Sequence, residues 1–128
     1  MNEIEPLLAL WQSARDVDAY LWSFYAALVL AALGFACTQA YASTSTLQRA
    51  AMIVVVYVFL SVNGWSIWDN LAVYNAATEQ LQAALANQPG GAVAQRIGEI
   101  HRVHLLAVHG VVDACVLAVL VLRGRGRA

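Results

Sequence analysis

Apolar positions in this chain do not alternate with polar ones. They gather into three long runs: Tyr20 to Tyr41 (YLWSFYAALVLAALGFACTQAY), Ala50 to Asn70 (AAMIVVVYVFLSVNGWSIWDN) and Val103 to Leu122 (VHLLAVHGVVDACVLAVLVL). Each has about the 20 residues that a helix needs to cross a ~30 Å hydrocarbon layer. Strands are a poor reading, because an open sheet leaves edge groups without partners in lipid. The expected fold is therefore an all-α integral membrane protein with three transmembrane helices. The first run is read as a retained span. The residues before it carry Glu3, Glu5, Asp16 and Asp18 against Arg15, whereas a signal peptide wants a basic leader.

Two further segments read as helix. Residues 2–18 open with Asn2 as a cap and Glu5 three positions on, the arrangement of a capping box. Pro6 is tolerated in a first turn. Ile4, Leu7, Leu8 and Trp11 form one apolar stripe at helical spacing. This amphipathic helix is expected to lie in the outer interface or to pack on the hairpin that joins the second and third spans. That hairpin is predicted from an alanine- and glutamine-rich continuation of the second span to about residue 86, a break at NQPGG (87–91) and helix again over 92–122. The break rests on its proline and glycines. Both arms would project roughly 20 Å outside the membrane.

Composition strengthens the membrane reading. The chain is 61% hydrophobic and 12% charged, against about 45–50% and about 25% in soluble domains. A net charge of −1 gives no electrostatic case for nucleic acid as a partner. All basic residues are arginine, which with the alanine content suggests a GC-rich bacterial genome. Arg49, Arg123, Arg125 and Arg127 flank one side without acidic company, while Arg15, Arg96 and Arg102 stand among carboxylates on the other. The basic side stays cytoplasmic. The expectation is a bacterial inner-membrane protein with its N-terminus outside and its C-terminus cytoplasmic, Arg123, Arg125 and Arg127 acting as a lipid and topology anchor. Tyr20, Trp22 and Tyr25 mark the outer end of the first span, Trp65 and Trp68 that of the second, and Tyr41 an inner boundary. Cys37 and Cys115 lie in apolar runs without metal-site spacing.

Candidate chemistry is confined to polar residues inside the spans, which are expensive in lipid and face protein or a cavity. Asn63, Ser66 and Asn70 share a helix face with Asp69 at its margin, and His109 and Asp113 are one turn apart. These six make the expected intramembrane polar cluster. A hairpin turning at 89–91 places His109 opposite Asp69, or His104 there after a one-turn shift. Gly110, Ala114 and Ala118 form a small-residue stripe suited to close helix packing. His101 and His104, with Glu99, are a weak candidate metal set. No cofactor is predicted, with a metal or haem as the exception to test. Phosphate loops, GxSxG, HExxH and paired CxxC motifs do not occur. The expected function is a small non-catalytic membrane protein, an accessory subunit or self-assembling module of an inner-membrane complex. Its partners would be the lipid bilayer and other membrane subunits or copies of itself. The alternatives are a homo-oligomeric pore lined by Asn63, Ser66 and Asn70, with Asp113 as a further lining candidate, and a metal- or haem-binding redox component using His101, His104 and His109.

Overall fold

The structure is a computed structural model that describes residues 4–86 and 102–125. Four helices account for nearly all of them: α1 (Ile4–Ala36), α2 (Gln39–Ala42), α3 (Thr46–Leu85) and α4 (Arg102–Arg125). No strand occurs among the described residues. Three of the helices are long and apolar enough to cross a membrane, so the chain is a helix bundle of membrane-protein type.

The helices differ in length. With 33, 40 and 24 residues, α1, α3 and α4 measure roughly 50, 60 and 36 Å at 1.5 Å per residue. A hydrocarbon layer of ~30 Å covers α4 but leaves much of α1 and α3 over. The excess falls at the end away from Arg49 and Arg123.

The separate amphipathic helix and first span expected from the sequence form one unbroken helix, α1. Nothing between Asp18 and Tyr20 stops it. The expected break was drawn from a change in polarity, which is no helix stop, and the 17–20 stretch lacks glycine or proline. The N-terminal part packs on the extension of α3. Trp11 lies against Tyr74 with ring centroids 5.9 Å apart, and the Asn70 side-chain amide donates to the Ala14 carbonyl at 2.9 Å. The Arg15 guanidinium sits over the Trp11 ring.

The connection between α1 and α3 is closed by small polar side chains. The Thr38 hydroxyl donates to the Phe35 carbonyl at 2.7 Å and accepts from the Tyr41 amide at 3.2 Å, ending α1 and capping α2 together. Ser45 then opens α3 with a full capping box: its hydroxyl accepts from the Gln48 amide, and the Gln48 side chain accepts from the Ser45 amide. The Arg49 guanidinium donates twice to the Thr44 carbonyl. Tyr41 is buried under this turn, and its hydroxyl donates to the Leu120 carbonyl of α4. It is a core residue rather than the interfacial aromatic that the sequence suggested.

Inward positions on α3 recur at steps of three or four: Leu60, Asn63, Ile67, Leu71, Tyr74, Thr78 and Leu81 are all buried. That is the spacing of a coiled-coil seam. The corresponding positions of α1 include Ala14, Tyr25 and Ala32, and those of α4 His109, Val116 and Leu120. One apolar cluster joins Tyr25, Ala32, Ala36, Tyr41, Leu60 and Val116 across the three long helices. The polar residues of the seam therefore sit among the core side chains and not beside lipid.

Candidate functional site

The inward turn of α4 carries His109 and Asp113. Their i, i+4 spacing brings the imidazole Nδ1 to 2.9 Å from Asp113 Oδ2. Across the bundle, Tyr25 of α1 donates its hydroxyl to Asp113 Oδ1 at 2.9 Å, and the same hydroxyl lies 3.3 Å from the His109 carbonyl. The Tyr25 and His109 rings stack at 4.0 Å with their planes 27° apart. Trp22, one turn before Tyr25, sets its edge toward both rings.

From α3 the cluster meets Gly64. A Cβ at that position would stand 3.2 Å from His109 Cε1, so the glycine is what lets α3 close on the imidazole. His109 is 5% exposed. Its Nε2 is buried and has no hydrogen-bond partner among the described residues. The Asp113 side chain keeps 22% of its surface, toward a groove between α3 and α4 whose lining includes Gly64, Trp65, Trp68 and Gly110. Along α4, Asp113 and His109 lie about 15 and 21 Å from Arg123. If Arg123 marks one face of the hydrocarbon layer, the cluster occupies its middle and upper thirds.

Asp113 thus gathers two donors from two helices. Of these only the Tyr25 bond crosses between helices, and such an interhelical bond contributes on the order of 0.6 kcal/mol in a membrane, and at most ~1.7. An aromatic stack adds about 0.5–1.5 kcal/mol. The arrangement fastens α1 to α4 and leaves one imidazole nitrogen uncommitted.

The remaining predicted residues are dispersed. Asn63 is buried one residue from Gly64, its amide nitrogen without a hydrogen-bond partner among the described residues. Ser66 donates to the Val62 carbonyl of its own helix. Asn70 reaches α1 through Ala14. Asp69 is exposed. The expected opposition of His109 and Asp69 is not found: His109 lies against Gly64, about 7.5 Å along α3 from Asp69. That register rested on the turn at 87–91, which is outside the described residues. The contact of His109 with Gly64 is the register of the alternative, which sets His104 near the level of Asp69, five residues further along each helix; both side chains are exposed there.

Of the candidate metal set, Glu99 and His101 lie outside the described residues. Among the described residues no group of three His, Cys, Asp or Glu side chains is placed to hold a metal ion. Gly110, Ala114 and Ala118 are exposed on α4, Gly110 at the groove beside α3 and the two alanines on the outer side. Arg123 is exposed at the basic end, where it helps to line a cavity of about 460 Å³ with Cys37, Thr38 and Gln39. Arg127 lies outside the described residues. Both cysteines are free.

Tyr25 and Gly64 are the site residues that the sequence did not reveal. Tyr25 reads as one more boundary aromatic until α1 is placed against α4. Gly64 reads as an ordinary break in an apolar run. Comparison with protein families, with curated proteins and with solved structures finds no match. Fold and site together define a three-helix bundle with membrane-length apolar helices and an internal tyrosine–aspartate–histidine cluster.

Proposed function

We propose that this chain is a small non-catalytic integral membrane protein, an accessory subunit or self-assembling module of a bacterial inner-membrane complex. It would sit with its N-terminus outside and its arginine-rich C-terminus in the cytoplasm. The observation that carries the reading is how α4 divides its residues. His109 and, in part, Asp113 are turned into the chain's own core, while Ala114 and Ala118 are left on the outside. Small residues on a lipid-facing surface let another helix approach closely. Their neighbours there, such as Val111 and Leu122, are apolar and exposed.

The pore reading needs Asn63, Ser66 and Asn70 on one outward face. Asn63 is buried and Asn70 is bonded to α1, which favours the subunit reading over it. The redox reading rests on His101, His104 and His109, of which His101 lies outside the described residues, and gains no separate support.

The test is isolation in mild detergent followed by native mass spectrometry. The expected result is either more than one copy per particle or a stoichiometric membrane partner, with Ala114→Leu shifting the distribution toward single chains. A lone chain without partners, under conditions that keep other membrane complexes intact, would refute the proposal. Orientation is tested separately. Gln88→Cys should react with an impermeant thiol reagent added to intact cells, and protection until lysis would reverse the assignment.

A further inference from the structure

The basic end of the bundle holds a cavity of about 460 Å³ between the α1–α3 connection and the last turns of α4, within the range of small-molecule sites, about 300–1,000 Å³. Cys37, Thr38 and Gln39 line it from the connection, and Val119, Leu122 and Arg123 from α4. No acidic residue is among its lining. The sequence has no Asp or Glu over residues 19–68, which include the whole connection, and none after Asp113. Asp113 itself is about 15 Å from Arg123 along α4 and is engaged by Tyr25 and His109.

Arg123 therefore has no carboxylate to balance it. Among the described residues it makes no ion pair. Arg49, at the same end, is committed through two donors to the Thr44 carbonyl. A guanidinium keeps its charge in proteins, so the unbalanced charge at the cavity is permanent. The Thr38 hydroxyl is already engaged, donating to the Phe35 carbonyl and accepting from the Tyr41 amide. The exposed side-chain amide of Gln39 is thus the second donor that the cavity offers a ligand. Arg123 also stands where the apolar stretch of α4 ends, Val103–Arg123. A helix leaving the hydrocarbon there puts the guanidinium at headgroup depth. Leu122 lines the same cavity and is 64% exposed.

We propose that this cavity binds the phosphate of an anionic phospholipid from the leaflet at the basic end. Arg123 holds the phosphate through paired N–H donors, the geometry for which a guanidinium is suited. Gln39 donates to it from the first residue of α2, and the acyl chains run into the bilayer past Leu122. The occupant is a lipid and not a soluble phosphate compound because one wall, Val119 and Leu122, is apolar and continues into the membrane-length part of α4. The sequence treats Arg123, Arg125 and Arg127 as one basic anchor; the cavity singles out Arg123 as the one that recognises a headgroup.

The experiment uses the full chain in mild-detergent micelles, titrated with dilauroyl phosphatidylglycerol and read by native mass spectrometry as lipids retained per chain. Dilauroylglycerol, which lacks the phosphate, and glycerol 3-phosphate, which lacks the acyl chains, are the comparators. Saturation at one phosphatidylglycerol per chain is expected, with weak binding of both comparators. Arg123→Gln should weaken binding roughly fivefold or more, whereas Arg127→Gln removes the same charge from the tail and should change it far less. Cys37→Phe fills the cavity while keeping every arginine, and should weaken binding severalfold at an unchanged Tm. Equal retention of dilauroylglycerol, wild-type affinity in Arg123→Gln or in Cys37→Phe, or an equal loss in Arg127→Gln overturns the proposal. So does lipid that accumulates without saturating. Displacement of the lipid by an equal concentration of glycerol 3-phosphate would assign the cavity to a soluble phosphate compound and overturn it as well. The subunit reading is separate from these outcomes, because lipids are counted per chain whatever the number of copies.

Discussion

Tyr25 shows how one hydroxyl can matter where burial of apolar surface gains little. Lipid is as apolar as a leucine-lined interface, so packing and a few hydrogen bonds must hold the helices. Tyr25→Phe keeps the ring that stacks on His109 and removes only the donor to Asp113. The expected loss is about 0.6–1.7 kcal/mol, read as a lower midpoint in denaturation from mixed micelles. An unchanged midpoint would show that the bond contributes nothing. Gly64→Ala sets two effects against each other. Alanine improves helix propensity by up to about 1 kcal/mol, but its methyl would stand 3.2 Å from an imidazole held by Tyr25 and Asp113. Overpacking costs about 1–3 kcal/mol, so a net loss is expected, measured as a lower Tm. Residues of this kind were only half legible. The His109–Asp113 pairing follows from a four-residue spacing and is visible in the sequence. Tyr25 and Gly64 become partners through the packing of separate helices, which no local pattern encodes.

At the scale of elements, the spans were legible and their joints less so. Long apolar runs dictate helices in lipid, and three membrane-length helices are present. Their inward faces were hidden because outside and inside are equally apolar, which flattens the contrast on which amphipathic patterns depend. The polar residues carry that information instead: Asn63, Thr78 and His109 all mark the seam. The start of α3 was legible in STLQ, where Ser45 precedes Gln48 by the capping-box interval, yet the apolar run draws the eye to residue 50. Ser45→Ala should cost about 1 kcal/mol and increase amide exchange in the first turn of α3. If exchange there is unaltered, the cap is not holding the helix start.

For the whole molecule, the length of α1 and α3 sets the main expectation. If the ~30 Å layer starts at the level of Arg49 and Arg123, their excess puts residues near Trp11 and Tyr74 beyond the hydrocarbon, with the Tyr25 level inside it. Hydrogen exchange in lipid nanodiscs should therefore divide α3. Amides around residues 74–85 should exchange measurably, and those around 50–62 should stay protected for far longer. Uniform protection along α3 would mean that the bilayer, or a partner, covers the whole helix.

The cluster also fixes an order of events during synthesis. Tyr25 and its acceptor are 88 positions apart in the chain, with α3 made between them. When α1 and α3 have entered the bilayer and met through the short turn at 37–45, the Tyr25 hydroxyl still lacks the carboxylate it is built to reach. That carboxylate arrives with α4, the last of the described helices to be made. Insertion of α4 thus supplies the Tyr25 acceptor in one late step, and a chain truncated before residue 113 leaves that hydroxyl without its carboxylate partner.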